Sequence, residues 1–385
     1  MPARRRVATL VATACVSTLL VGGCSGDDET APSPAAPAPS ASPSPAEPEP
    51  TASGPATPTA PGGPRVTGTV AEGLDVPWGL DFLPSGDALV TERATGRVLR
   101  VSPDGTTRAV GRVPGVVPNG EGGLLGLAVS PEFAQDRAVY VYFTASADNR
   151  IVRFTLDGDG FTHGEVILDG IANASFHDGG RLAFGPDGML YAGTGDAGVS
   201  SRAQDRDSLN GKILRMEPDG SVPADNPFAD SLVYSFGHRN VQGLAFDPDG
   251  RLWAAEFGQN TWDELNLIRP GRNYGWPEVE GRADTRGGEF TNPVRQWSTA
   301  EASPSGVAYL GGVVYMAALG GERLWQVPVD GERAGRPRAT FTQRYGRLRT
   351  VVAAPDGSLW LTTSNQDGRG DPQESDDRIL RVVVR

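Results

Sequence analysis

Four arginines stand at or just before the start of apolar runs: Arg181 ahead of LAF, Arg239 ahead of NVQGLAF, and Arg347 and Arg349 inside RLRTVVA. A guanidinium is always charged and presents a planar fork of donors that matches carboxylate geometry. Lys212 is the only lysine in the chain, so any anion site here has to be built from arginine. Two of the three histidines, His177 and His238, occupy the same kind of slot, and imidazole moves protons near neutral pH. Convergence of these slots predicts a site for a small, multiply anionic ligand beside a base. Taken singly, each arginine has a plainer reading as the partner of a neighbouring acid, such as Asp178 or Asp196 for Arg181. His163, in a Gly-Phe-Thr-His stretch, reads as solvated.

The elements that would bring the slots together are visible as a phrase repeated six times. LAFGPDGMLYAGTGD (182–196), LAFDPDGRLWAAEFG (244–258) and VVAAPDGSLWLTTSN (351–365) are near-literal copies, and looser ones begin at Leu80, Leu127 and Val307. Each is a short apolar strand, a Pro-Asp-Gly type turn and a second β-rich strand, a hairpin signature. The starts are spaced by 47, 55, 62, 63 and 44 residues, the length of a four-stranded propeller blade with variable loops. The fold expected is all-β, a six-bladed β-propeller with four-stranded antiparallel blades. In such a blade the innermost strand starts at one mouth of the central channel and the second strand returns there. Residues before each first strand and after each second strand should therefore meet on one face. Glycines in these slots let the backbone turn tightly or approach a ligand.

Composition and the chain ends bound the rest. Arg4, Arg5 and Arg6 precede an apolar stretch from Val7 to Val21, too short for a comfortable membrane span and ending Val21-Gly22-Gly23-Cys24. Residues 1–23 read as a lipoprotein signal peptide with Cys24 as the lipidated residue, an ordinary secretory signal being the plainer alternative. The only other cysteine, Cys15, lies inside the signal, so thiol catalysis and cysteine metal sites are excluded from the exported part. Residues 24–64, rich in Pro, Ala, Ser and Thr, read as a disordered tether. Residues 65–385 form the propeller domain. The expected location is the outer face of the cytoplasmic membrane, with membrane contact only through the lipid anchor. The formal net charge of −12 becomes about −15 once the signal arginines are gone, which argues against nucleic-acid binding.

Several stretches resemble the soluble quinoprotein glucose/sorbosone dehydrogenase family: NGEGGLLGLAVSPEF (119–133), HDGGRLAFGPDG (177–188), GHRNVQGLAFDPDGRLWAAEFG (237–258), DELNLIRPGRNYGWP (263–277) and RLRTVVAAPDG (347–357). The likeness spans about residues 70–385 and leans toward the aldose sugar dehydrogenases. It implies a PQQ- and calcium-dependent enzyme that oxidises the anomeric C1 hydroxyl of an aldose to the lactone. Electrons would pass to an external acceptor, a quinone or a separate redox carrier, since no haem-attachment motif is present. The resemblance makes His177 the general base and Arg239 the group that stabilises the developing oxyanion. It implies cofactor contacts from Glu121, Arg239, Asn240 and Gln242, and a carboxylate clamp from Arg347 and Arg349. Calcium would be held by the carbonyls of Gly258 and Gln259, with Asp263 near the cofactor and Glu264 joining Tyr274 in a separate calcium site.

The chain departs from that pattern in places. Phe176 stands where the glucose dehydrogenases have an acid, Glu121 where they have a glutamine, Ala197 where they have a cofactor glutamine, and Leu319-Gly320-Gly321 where they have a cofactor lysine. These departures bear on glucose specificity and cofactor affinity. Two other functions remain open from the residues alone. One is a metal-dependent lactonase or ester hydrolase recruiting Glu121, Asn240 and Asp263; the other is a non-catalytic ligand-binding propeller. The insertions after Asp196 and Trp276 are expected to set access to the pocket.

Overall fold

The computed structural model describes residues 63–158 and 160–384. The signal segment, Cys24 and nearly all of the tether lie outside the described residues. The described part is six antiparallel sheets arranged as propeller blades. Blade 1 comprises Pro77–Phe82, Ala88–Glu92, Arg97–Val101 and Thr107–Arg112; blade 2 comprises Leu124–Val129, Ala138–Thr144, Asn149–Asp157 and Gly160–Ile171. Blade 3 is Leu182–Phe184, Leu190–Gly193, Lys212–Met216 and Val233–Phe236, and blade 4 is Val241–Phe246, Leu252–Glu256, Trp262–Ile268 and Arg295–Ser298. In blade 5, Pro304–Leu310, Val313–Ala318 and Arg323–Asp330 are followed by a split outer edge, Arg333–Ala334 and Arg338–Thr340.

Blade 6 closes the ring. Its inner strands Leu348–Ala353, Leu359–Thr363 and Ile379–Val383 are completed by Arg65–Ala71 from the other end of the chain, in antiparallel register from Arg65 opposite Val383 to Ala71 opposite Ile379. Closure across the ends removes an exposed sheet edge at the seam. The six repeated hairpins of the sequence are the first two strands of the six blades. Their Pro-Asp-Gly turns place Gly188, Gly250 and Gly357 at φ of 78°, 79° and 78°, where a side chain would be strained.

The core is a ring of six interfaces between neighbouring blades. Leu89, Val98, Val139 and Val152 fill the first, and Tyr140, Tyr142, Leu190 and Leu214 the second. Tyr191, Ile213, Val241 and Leu252 pack blade 3 on blade 4, and Trp253, Leu265, Val314 and Trp325 pack blade 4 on blade 5. Tyr315, Leu324, Leu361 and Leu380 join blades 5 and 6, and Trp360, Ile379, Ala88 and Val101 seal the seam. Alternating strand residues point into opposite interfaces, as the period of a β-strand requires.

Five of the six inner strands change register within their first few residues: between Pro77 and Leu80, Leu124 and Leu127, Val241 and Gly243, Pro304 and Val307, and Leu348 and Val351. Such bulges re-aim side chains and cluster next to active sites. Here they turn Trp78, Gln242, Ser305 and Arg349 inward at one mouth of the channel.

Candidate active site

The inward-turned residues build a plug. Arg181 Nε donates to Gln242 O at 2.7 Å and Nη2 to Thr350 Oγ1 at 3.1 Å, while the guanidinium lies 4.2 Å from the centre of the Trp78 ring. Burial, followed by the charge of Arg349, pushes its pKa down to about 9. Arg181 faces the opposite half of the channel, among inner-strand residues such as Leu127, Leu244 and Val351. The expectation that it joins the other arginines at the rim is therefore corrected: neither Asp178 nor Asp196 pairs with it, and it closes the channel floor. His238 is corrected in the same way. It is fully buried, with Nδ1 2.7 Å from Glu256 Oε2, Nε2 2.8 Å from Ser235 Oγ, and its ring stacked on Tyr274. His163 is exposed in the outer strand of blade 2.

Above the plug lie two adjoining cavities. The larger, about 760 Å³, is walled by Glu121, Phe176, His177, Asp196, Arg239, Asn240, Gly258, Gln259, Asp263, Trp276 and Arg369, among others. The smaller, about 350 Å³, is walled by Arg93, Glu121, Gln242, Arg347, Arg349, Asp367 and Arg369, among others. Most of the site residues read from the sequence are thus brought together, with His177, Arg239 and Asn240 at one end and Gln242, Arg347 and Arg349 at the other. The convergence expected of the blade slots holds for these residues.

At the first end sits an oriented imidazole. His177 Nδ1 lies 2.7 Å from Asp196 Oδ1. Gly198 N–H donates to the same oxygen at 2.8 Å, and the Trp276 indole N–H donates to Oδ2 at 2.9 Å. Burial alone would raise the Asp196 pKa, but the hydrogen bond and charge of His177, with the Gly198 and Trp276 donors, hold it below the usual carboxylate range. An ionised carboxylate only accepts, so Nδ1 carries the proton and Nε2 is left as the basic nitrogen. His177 has φ of +61°, a left-handed conformation unusual for a residue with a side chain. Its amide donates to Glu121 Oε2 at 3.2 Å and its carbonyl accepts from Ala197 N–H at 3.2 Å.

At the second end, a loop after the blade 6 strand Leu359–Thr363 supplies an acid. One oxygen of Asp367 accepts from Arg347 Nε at 3.0 Å and Nη2 at 2.9 Å, and from Arg349 Nη2 at 3.4 Å. Arg349 also donates to Ser364 Oγ at 3.0 Å and Gln242 Oε1 at 3.4 Å. Burial, then the neighbouring charge of Arg93, pushes Arg349 down to about 9, and burial likewise lowers Arg93. Across the two cavities five guanidiniums (Arg93, Arg239, Arg347, Arg349 and Arg369) face four carboxylates (Glu121, Asp196, Asp263 and Asp367). Arg239 Nε is buried with no partner among the described residues. Asn240 Oδ1 accepts from Gly179 N–H at 3.0 Å and is held in place.

The turn at Gly258–Trp262 has a feature the sequence did not disclose. One oxygen of Glu280 accepts from four successive amides, Gln259, Asn260, Thr261 and Trp262, at 2.7, 3.0, 2.9 and 3.1 Å. These bonds outweigh its burial and keep Glu280 below the usual carboxylate range. In a planar trans peptide the carbonyl points opposite to the N–H, so the carbonyls of Gly258 and Gln259 are turned away from Glu280. That of Gly258 indeed reaches Arg239 Nη1, at 2.5 Å. Gly258 is required here, because a Cβ would fall 1.9 Å from Trp262 O. Asp263 braces the turn: its two oxygens accept from Gly258 N–H at 2.8 Å and Ser303 N–H at 2.6 Å, and burial pushes it up to about 6.

Glu264 and Tyr274 are not in the cavity walls. Glu264 accepts from Gly281 N–H and Asn266 Nδ2, and burial beside Glu256 pushes it up to about 8. The Tyr274 hydroxyl donates to Leu267 O and accepts from Arg269 N–H. Both are tied to the His238–Glu256 pair, Tyr274 by stacking and Glu264 through Asn266, and they share no hydrogen bond. For a hydrolytic metal centre, Glu121, Asn240 and Asp263 would have to converge. They are instead committed to separate backbone donors, and among the described residues no group of three or more His, Asp or Glu is placed to hold a metal ion.

Arg93, Trp276, Glu280, Asp367 and Arg369 have no role in the sequence reading, and Asp196 enters it only as a partner for Arg181. Arg93 and Asp196 sit at ends of second strands, the slots expected at the mouth, so position alone could have found them. Glu280, Asp367 and Arg369 lie in insertions without repeat register, where no periodicity marks them.

The Glucose / Sorbosone dehydrogenase family profile matches residues 74–381. A solved structure of PQQ-bound aldose sugar dehydrogenase from Streptomyces coelicolor is 54% identical and superimposes with a TM-score of 0.82, over 85% of this chain and 100% of that one. Aldose sugar dehydrogenase YliI of Escherichia coli is 30% identical over 330 residues, 77% of this chain and 89% of the relative. Quinoprotein glucose dehydrogenase B of Acinetobacter calcoaceticus is 34% identical over 260 residues, 58% of this chain and 54% of that one. The propeller with its oriented imidazole is thus the scaffold of a sugar-oxidising enzyme. The chain belongs to the glucose/sorbosone dehydrogenase family.

Proposed function

We propose that this protein is a PQQ- and calcium-dependent aldose dehydrogenase that oxidises the anomeric C1 hydroxyl to the lactone and passes electrons to an external acceptor, a quinone or a separate redox carrier. The observation that carries this reading is the meeting, in one mouth, of a carboxylate-oriented imidazole with an excess of guanidinium groups.

The residues fit the cofactor. PQQ is a tricarboxylate, and the paired cavities hold five arginines, one of them with a buried orphan donor. They also fit calcium, a hard cation that takes carbonyl oxygens: the Glu280-capped turn presents the Gly258 and Gln259 carbonyls away from its amides. When bound, the pair supplies a two-electron acceptor polarised by a Lewis acid. Arg347 and Arg349, fixed by Asp367, would hold carboxylates, as Arg239, Asn240, Gln242 and Glu121 would line the remainder. For the second calcium implied at Glu264 and Tyr274, the buried Asn266 Oδ1 is an acceptor oxygen beside Glu264 with no hydrogen-bond partner among the described residues.

The chain's own chemistry is proton transfer. His177 Nε2 accepts the proton of the anomeric hydroxyl, and Asp196 stabilises the imidazolium that forms. Arg239 supplies positive charge in the same cavity, where charge interactions are stronger than in water. Phe176 and Trp276 form an apolar border beside the base and limit water there. Their faces also suit the C–H face of a pyranose.

Residues 1–64 support export and tethering: lipidation of Cys24 would place the enzyme on the outer face of the cytoplasmic membrane, with electrons leaving to a membrane or periplasmic carrier. Replacing Cys24 by serine should release the protein from the membrane fraction, and unchanged partitioning would refute the anchor. The activity test is reconstitution. Purified protein given PQQ and calcium should reduce an artificial dye only when an aldose is added. No turnover over a broad sugar panel, with no PQQ-dependent absorbance change on mixing, would overturn the reading.

A further inference from the structure

The two cavities meet at an ion pair. Glu121 and Arg369 belong to the walls of both, and Arg369 Nη1 lies 3.1 Å from Glu121 Oε1. Glu121 comes from the segment before the inner strand of blade 2, and Arg369 from the blade 6 loop between Leu359–Thr363 and Ile379–Val383. The pair therefore spans the mouth from one blade to another.

The loop is built to present that arginine. Asn365 is buried and fixed by Tyr345 O and Asp376 Oδ2 through its amide nitrogen and by Arg347 N–H through its oxygen. Gly370 rides directly over it: a Cβ there would fall 2.5 Å from Asn365 O and 2.9 Å from Arg347 Cδ. Between these anchors, Asp367 turns down onto Arg347 and Arg349 while its second oxygen accepts from Arg369 N–H at 3.0 Å. The same short stretch thus neutralises two guanidiniums in the floor and extends a third across the opening. Their environments differ. Arg347 and Arg349 are buried against Asp367, whereas the Arg369 side chain is 64% exposed and faces one partner that is itself 22% exposed.

An ion pair this exposed contributes little and is readily exchanged. Glu121 keeps its bond from His177 N–H when Arg369 leaves. A polyanion filling both cavities passes beneath the only guanidinium common to their walls. We propose that Arg369 is a cofactor-clamping residue, paired with Glu121 in the free protein and transferred to a carboxylate of the bound cofactor, so that the blade 6 loop straps the mouth. This inference rests on the PQQ reading above.

The experiment is a binding titration, independent of turnover. PQQ is added to calcium-loaded wild type, Arg369→Ala and Arg347→Ala proteins, followed by the cofactor's absorbance and by quenching of tryptophan fluorescence. Arg369→Ala should bind at least about tenfold more weakly, the scale of one hydrogen bond to a charged group. Its affinity should also depend less steeply on salt, with unfolding temperature unchanged in the absence of PQQ. Wild-type affinity in Arg369→Ala alongside loss in Arg347→Ala would overturn the clamp and leave the PQQ reading standing. Absence of PQQ binding by the wild type would overturn both.

Discussion

Replacing Asp196 by asparagine tests the base most directly. The carboxylate accepts three donors: His177 Nδ1–H at 2.7 Å and Gly198 N–H at 2.8 Å on one oxygen, the Trp276 indole at 2.9 Å on the other. An asparagine has a single acceptor oxygen and a donor amide. If its oxygen stays with His177 and Gly198, its NH₂ confronts the Trp276 N–H and that donor is left unsatisfied. If it turns to Trp276, the NH₂ faces His177 Nδ1, the imidazole proton moves to Nε2, and the base is blocked. Either arrangement also removes the negative charge that stabilises the imidazolium. A hydrogen bond to a charged group is worth about 1.5–3 kcal/mol, which corresponds to a fall in kcat of about 10- to 150-fold. The measurement is steady-state dye reduction at saturating aldose, with PQQ affinity determined separately. We expect kcat to fall in that range while PQQ affinity stays within about twofold, since the Asp196 side chain bonds to His177, Gly198 and Trp276 and to none of Arg239, Asn240, Gln242, Arg347 and Arg349. A kcat within about threefold of wild type would refute the assignment of Asp196 as the orienting group.

Other expectations follow from the same geometry. Gly258→Ala puts a Cβ against Trp262 O and should displace the Gly258 carbonyl, raising the calcium concentration needed for PQQ binding by about tenfold or more; an unchanged calcium requirement would count against the carbonyl turn. Asp178 has one oxygen bonded to Asn149 and the Ala174 amide and the other buried without a partner, and burial pushes its pKa up from 3.8 to about 6. Its folded value lies above the unfolded one, so its contribution is most favourable below about pH 4 and is lost as pH rises through about 6, a span on the order of 3 kcal/mol. Asp178→Asn should flatten that part of the urea-unfolding profile, and an identical slope in both proteins would refute it. Trp360, buried at the seam and edge-on to Phe82 at 5.0 Å, should cost about 3–5 kcal/mol on truncation to alanine, measured by denaturant unfolding; a loss under about 1 kcal/mol would show that the ring is not sealed there.

What could be read in the sequence was whatever the blades repeat. The hairpin phrase located all six inner strands, because burial on both faces imposes apolar runs and the tight turn imposes glycine at positive φ. Slot position then placed His177, Arg239, Asn240, Gln242, Arg347 and Arg349 at one mouth, since each lies within a few residues of a strand start that the pattern fixes. The same logic misplaced Arg181 and His238. A bulge or a change of backbone direction by one residue sends a side chain to the other face, and no one-dimensional spacing records it. Arg181 therefore reads like its neighbours yet lies under Gln242 and Thr350, and His238 precedes Arg239 yet is sealed against Glu256 and Ser235.

The residues that escaped notice share a different cause. Glu280 acts on amides about twenty positions upstream, Asp367 on arginines eighteen and twenty positions upstream, and Arg369 on Glu121 in another blade. Each lies in an insertion, where nothing in the repeat constrains the partner, and each works by charge at a distance in sequence. A propeller makes this arrangement economical in physical terms. The inner strands and the segments that lead into them set His177, Arg347 and Arg349, while insertions at the same mouth are free to add or remove charge without disturbing any blade interface. On this view the departures at Phe176, Glu121 and Ala197 change what the mouth admits and how tightly it holds an anion. The hydrogen-bonded pair His177–Asp196, held at the mouth by segments flanking blade 3's first two strands, is left intact.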